Sequence, residues 1–203
     1  MDLRGVRLEF GPVALEPIEE RHREPLRAAT NADREVWDLY PYSMADPHFY
    51  DFWTGLCARQ ESGAALPFAV SLDGACVGIS CYLNIETAQA ACDIGGTYYR
   101  PDARGGVVNP AAKLLLLGHA FASGARRVAF KVDAINTRSR AAVSKLGAVQ
   151  EGILRQDRVT WTGRVRDTVV FSVLRDEWPA VEAGLWDRLA PSPIGRGRLT
   201  PQA

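Results

Sequence analysis

Tyr98-Tyr99-Arg100-Pro101-Asp102-Ala103-Arg104-Gly105-Gly106-Val107-Val108-Asn109-Pro110-Ala111-Ala112-Lys113 carries the chain from a strand-like run, through a loop with two glycines, into a helix-like run. Asn109 is a good N-cap, and Pro110 suits the first helical turn because its missing N–H would lack an intrahelical partner anyway. The free amides of a helix start and the positive end of its dipole face whatever occupies the loop. Gly105 and Gly106 let amides converge into an anion-binding nest, so a diphosphate can be held with few charged side chains. Lys113 reads as a first-turn cation, a position the dipole disfavours unless an anion is bound. The plainer alternative is an ordinary strand-to-helix turn with a solvated lysine. The loop is neither a Walker loop nor a G-x-G-x-x-G fingerprint.

Outward from this turn the elements follow in order. Val6 to Glu9 and Val13 to Glu16 flank Gly11-Pro12 as a hairpin. Glu19 to Ala29 reads as a helix, and Asp46-Pro47 opens a second one through Gln60. Pro67 to Leu72 and Cys76 to Leu83 flank the turn Asp73-Gly74. Ala91 to Tyr99 is the strand before the loop, and a helix from Pro110 to about Ser123 stops at Gly124. Val128 to Val132 alternates as a strand. A helix from Thr137 to Leu146 stops at Gly147. Strands at Ala148 to Leu154 and Thr168 to Leu174 follow, and a helix over Glu177 to Leu189 ends the pattern. This order specifies a mixed α/β sheet, with antiparallel and crossover segments, rather than a doubly wound parallel one.

A second informative stretch is Asp133-Ala134-Ile135-Asn136-Thr137-Arg138-Ser139-Arg140-Ala141-Ala142-Val143-Ser144-Lys145-Leu146-Gly147-Ala148. Ser139, Ala142, Val143 and Leu146 recur at i, i+3, i+4 and i+7, which puts Ser139 on the inward stripe of its helix. Its hydroxyl either serves a ligand or bonds back to its own helix. Asn136 either serves a ligand or caps the helix.

Taken together, the R-G-(x)n-V-N-P-x-x-K turn, the N-x-x-S-x-x-A-x-x-x-L-G-A helix and the R-x-R-D-T-V-V-F-S-V-L run from Arg164 to Leu174 resemble the GNAT N-acetyltransferase superfamily. The similarity is greatest to its RimJ/RimL-like branch and extends from about Val6 to Leu189. It implies a splayed central sheet flanked by helices, with acetyl-CoA as co-substrate and a primary amine as acceptor. The pyrophosphate would sit on Arg104, Gly105, Gly106, Val107, Val108 and Asn109, with Lys113 nearby. The pantetheine arm would lie between the strands carrying Asp93 and Val128. Asn136 would bind that arm, and Ser139 would stand near the sulfur.

Two departures from the family pattern stand out. Val107 occupies a position where Gly or Ala is usual, and Val143 occupies that of the tyrosine that protonates the leaving thiolate in many relatives. That role then passes to Ser139, to water or to no group. A typical alkyl amine is nearly all ammonium at neutral pH, so its proton must be taken. Asp93 is the first candidate base, ahead of Glu86 and Asp157. The alternative for each is a solvated strand-end carboxylate. A backbone donor from the splayed strand would meet the oxyanion. Among the aromatics from Trp37 to Trp53, most of which should be core, Trp37, Tyr40, Tyr42 and His48 are candidate acceptor contacts. A non-catalytic acyl-CoA-binding module and an unrelated nucleotide-binding protein are the rival readings.

Lys and Arg number 24, as do Asp and Glu. This balance argues against nucleic acid or anionic membrane as partner, since both call for a basic excess. The acceptor stays open among small amines, amino acids and peptide N-termini, and so does a homodimer. Cys57, Cys76, Cys81 and Cys92 show no C-x-x-C spacing, and three histidines add little, so no metal site is expected. Reduced cysteines in apolar runs fit a cytoplasmic location. No signal peptide or membrane span is apparent. One domain covers 1–190, and 191–203 reads as a disordered tail.

Overall fold

A computed structural model describes residues 1–190; the expected tail lies outside the described residues. The chain runs β1 (Leu8–Phe10), β2 (Val13–Pro17), α1 (Arg23–Asn31), α2 (Phe49–Glu61), β3 (Ala65–Leu72), β4 (Ala75–Glu86) and β5 (Ala91–Tyr99). It continues through α3 (Val108–Ala122), β6 (Arg127–Asp133), α4 (Thr137–Leu146), β7 (Val149–Val159), β8 (Val165–Leu174) and α5 (Trp178–Leu189). The eight strands form one sheet in the order β1-β2-β3-β4-β5-β6-β8-β7. This is the mixed α/β sheet that the element pattern specifies.

All neighbours are antiparallel except β5 and β6, which α3 joins as a crossover. Their pairing is brief. Ala91, Cys92 and Asp93 meet Arg127, Val128 and Ala129, and among the described residues no register continues beyond them. Beyond Asp93 β5 keeps its partner β4 on one side and has none on the other among the described residues, while β6 keeps β8. The sheet therefore opens into a gap flanked by the C-terminal halves of β5 and β6.

Each sheet face buries its own core. On one face Cys92, Ile94, Val128 and Phe130 pack against Leu116 and Leu117 of α3. On the other, Ile79, Cys81 and Tyr98 pack against Leu26 of α1 and Phe49 and Trp53 of α2. Strand alternation sends neighbouring residues to opposite faces and so serves both cores.

Several boundaries differ from the sequence reading. Helix α2 begins at Phe49, and a 3-10 turn spans Glu35–Leu39 where no element was expected. The β7–β8 hairpin is longer than the apolar runs suggest, reaching Val159 and restarting at Val165. Strand β7 lies at the edge of the sheet and is mostly exposed, and its register shifts between Leu154 and Arg158. A polar, bulged edge strand lacks the alternation that marks a half-buried one.

Candidate functional site

The phosphate turn is built largely as its sequence suggests. Strand β5 ends at Tyr99, a short 3-10 turn covers Pro101–Ala103, and α3 follows. Gly105 has a φ of +76°, and a Cβ added at Gly105 or Gly106 would meet nothing within 4 Å. The backbone amides of Gly105 through Asn109 take no backbone partner among the described residues, and the first helical amide of α3 to do so is that of Ala111, bonded to Val107. Five free donors at a helix start, beside open space, form an anion cradle.

Three details correct the sequence reading. Asn109 is not the cap: Val107 is, without a side-chain bond, and Asn109 lies inside the helix. Arg104 does not extend toward the cradle. Its Nε donates to the Tyr99 carbonyl at 2.6 Å, its Nη1 pairs with Asp33 at 2.5 Å, and its guanidinium lies over the Tyr98 ring. Lys113 is not a solvated first-turn cation. It falls in the second turn, is only 7% exposed, and points into the protein, where Nζ donates to Thr97 Oγ1 at 3.1 Å. Burial pushes its ammonium pKa down to about 7.

The centre of the site is a bulge on β5. Ile79 and Cys81 of β4 pair with Tyr98 and Gly95, so the single residue Ser80 opposes both Gly96 and Thr97. Gly96 has a φ of +59°, the left-handed region that favours glycine. A bulge takes backbone groups out of the ladder and re-aims them, and this one faces the open gap. Groups converge on it from both faces. Ser80 Oγ lies 2.7 Å from Thr97 Oγ1, and Lys113 meets the same hydroxyl. Tyr40 donates its phenolic proton to the Thr97 carbonyl at 2.6 Å. A Cβ at Gly96 would sit 3.0 Å from the Tyr42 hydroxyl. The sequence signal for this was a pair of glycines inside a strand run, Gly95-Gly96.

The aromatic candidates separate. Tyr40 and Tyr42 are half-buried at the bulge, and burial raises both phenol pKa values, that of Tyr40 to about 12. Trp37 is wholly buried and donates its indole N–H to the Thr30 carbonyl, so it is core rather than a substrate contact. His48 is exposed, with its ring 5.2 Å from that of Trp161. Trp161 was missed by sequence reasoning. It stands at the tip of the β7–β8 hairpin and donates Nε1–H to the Trp37 carbonyl at 2.9 Å. Arg164 also reaches this segment, bonding the Asp38 carbonyl while pairing with the buried Asp133. No local signal ties residues 124 positions apart.

At the far side of the gap, Asn136 caps α4: its Oδ1 accepts the Ser139 amide at 3.0 Å. Ser139 is half-buried, and among the described residues its hydroxyl takes no hydrogen-bond partner, so the alternative of a back-bond into its own helix does not form. Asn136 also lines a surface cavity of about 320 Å³ with Asp33, Val36, Leu39 and Arg138.

Asp93 is not gathered with these groups. It occupies the last position of β5 that pairs with β6, where Oδ2 accepts from Asn84 at 2.6 Å and pairs with Lys131 at 2.8 Å. Thr97 is four positions on, roughly 13 Å at ~3.3 Å per residue. Glu86 borders the same depression as Asp93, and Asp157 is held by Arg158 and Thr168 on β7 and β8.

A family model described as an acetyltransferase (GNAT) domain matches residues 13–149. The chain belongs to this family. A GCN5-related N-acetyltransferase from Brucella melitensis is 28% identical, with 98% of this chain and 94% of that one covered and a TM-score of 0.86. Mycobacterium smegmatis RimJ in complex with CoA-disulfide is 26% identical over 93% and 94% of the two chains, with a TM-score of 0.75. RimL, a ribosomal L7/L12 alpha-N-protein acetyltransferase, shares the fold at 17% identity, with 82% and 94% covered and a TM-score of 0.74. No curated protein matches the sequence. The chain is thus a GNAT acyl-CoA-dependent N-acetyltransferase of the RimJ/RimL-like branch. The open cradle at Gly105–Asn109 and the gap beyond Asp93 fit such a donor. Among the described residues no helix is long and apolar enough to cross a membrane.

Proposed function

We propose that the chain transfers an acetyl group from acetyl-CoA to the primary amine of a small molecule, an amino acid or a peptide N-terminus. The observation that carries this reading is the β5 bulge facing the gap, with the free amides of Gly105–Asn109 at one end of it. The pyrophosphate would rest on those amides, and the pantetheine arm would run along the unpaired edge of β5. Asn136, whose amide nitrogen is not used by the cap, would bond that arm, and Ser139 would bond the sulfur. The Gly96–Thr97 backbone would offer an N–H to the tetrahedral oxyanion, a preorganised donor of the kind that stabilises acyl transfer. The amine would approach from the Tyr40 and Tyr42 side, over His48 and Trp161. Asp93 serves this scheme as a brace at the vertex, through Lys131 and Asn84, because its distance from the bulge does not suit a proton acceptor. The four free thiols suit a cytoplasmic setting.

Isothermal titration with CoA, followed by thiol release from acetyl-CoA across a panel of amines, tests the reading. Micromolar CoA binding with thiol release dependent on one amine class is expected. No binding at millimolar CoA would overturn it. Binding without amine-dependent release would make the chain a binding module instead.

A further inference from the structure

We infer that Lys113 is the proton donor to the departing thiolate of CoA, in the role left open by Val143. The inference rests on the acetyl-transfer reading above and adds a residue to it.

Lys113 is placed where the donor's sulfur would lie. Its side chain enters from α3 and bridges the two sides of the gap, with Nζ on Thr97 of β5 and 5.7 Å from the centre of the Phe130 ring of β6. An acyl donor lying along β5 with its carbonyl at the bulge would bring its sulfur against this ammonium. The ammonium also has no anionic partner among the described residues, although a buried cation is normally paired with a carboxylate. Asp93 and Lys131 flank the inward Ile94 and Phe130 along their strands and so project to the opposite face. Cys81 is the titratable group that acts on Lys113, and burial holds its thiol pKa up at about 12. The remaining neighbours, Thr97 and Ser80, are hydroxyls. Val143 is buried in the core and carries no proton to give.

The step balances simply. The tetrahedral intermediate collapses, the C–S bond breaks, and its electron pair goes to sulfur. Lys113 N–H protonates that sulfur, giving CoA thiol and neutral Lys113. The proton lost by the attacking amine restores the ammonium through the Thr97 hydroxyl, which Nζ already meets. Burial brings the ammonium pKa close to that of a thiol, so transfer is nearly balanced, and the charge growing on sulfur favours the ammonium until it occurs.

Lys113→Met and Lys113→Gln test this in the full chain, with CoA titration, steady-state kinetics and intact-mass analysis. CoA affinity is expected to stay within about 3-fold. Turnover is expected to fall about 30-fold, short of the usual ~10²–10⁴ because a thiolate already leaves well. Parental turnover should decline above about pH 7, and that limb should vanish in both variants. Removing a buried unpaired charge should not unfold the protein, and Gln retains a donor for Thr97 if Met does. Parental turnover in a folded variant would overturn the inference. So would a loss confined to CoA binding, which would make Lys113 a binding group, or Lys113 acetylation on incubation with acetyl-CoA, which would make it a nucleophile. A parent that does not bind CoA would remove the acetyl-transfer reading first, and this one with it.

Discussion

Tyr40 and Thr97 are joined across 57 residues by one hydrogen bond, in which the phenol donates at 2.6 Å to a carbonyl on the β5 bulge. The contact holds the segment after α1 against the strand that would carry the donor. Tyr40→Phe removes the donor and leaves the carbonyl unpaired. A net loss of about 1 kcal/mol is expected, seen as a melting-temperature drop of roughly 2–4 °C. The Michaelis constant for the amine should rise with it. A variant that melts like the parent would show that the bond does not secure this segment.

Gly96→Ala addresses the bulge itself. At a φ of +59° an added methyl is disfavoured by roughly 1–2 kcal/mol, and it would also crowd the Tyr42 hydroxyl at 3.0 Å. Turnover should drop at least tenfold while CoA affinity changes little. Parallel losses in both would place the bulge in donor binding rather than in oxyanion stabilisation.

Asn136 has two separable jobs. Asn136→Ala loses the α4 cap, worth about 0.5–2 kcal/mol of stability, and also the bond proposed for the pantetheine arm. Asn136→Asp keeps the capping oxygen, with a charge the α4 N-terminus favours, and replaces the amide donor by an acceptor. It should melt like the parent yet raise the Michaelis constant for acetyl-CoA roughly 2- to 13-fold, as one hydrogen bond of about 0.5–1.5 kcal/mol allows. Ser139→Ala should lower turnover by a similar factor. An Asp variant with the parental constant would reduce Asn136 to a helix cap.

Glu151 on β7 gives a pH signature. Arg127 on β6 donates to both its oxygens, Ser172 adds a bond at 2.7 Å, and its carboxyl pKa is held down at about 2 against an ordinary 4.5. A depressed carboxyl pKa stabilises the fold above the unfolded value, and that stability is lost as pH falls from about 4.5 toward 2. The gain is modest because the pair is partly exposed. In Glu151→Gln the melting temperature should fall less steeply across that window. Identical slopes in parent and variant would show that the Arg127 pair contributes nothing.

Residue order alone set the element order, the mixed sheet, the turn at Gly105–Asn109 and the α4 junction at Asn136. Each is a local matter: glycine permits a backbone angle, proline removes a donor, and apolar spacing selects a strand or a helix. It also placed Ser139 on the inward stripe of α4. What it did not decide was where side chains spend their polar groups. Arg104 looked free for phosphate and is held by Asp33; Trp37 looked available and is core. Asp93, the first candidate base, pairs with Lys131 and Asn84, and Lys113, read as a first-turn cation beside a phosphate, is buried with its ammonium on Thr97. Trp161 gave no signal, yet it closes over the aromatic segment. These outcomes depend on which strands become neighbours and where β5 and β6 part. That follows from packing two cores on one twisted sheet, a long-range balance that no window of sequence contains.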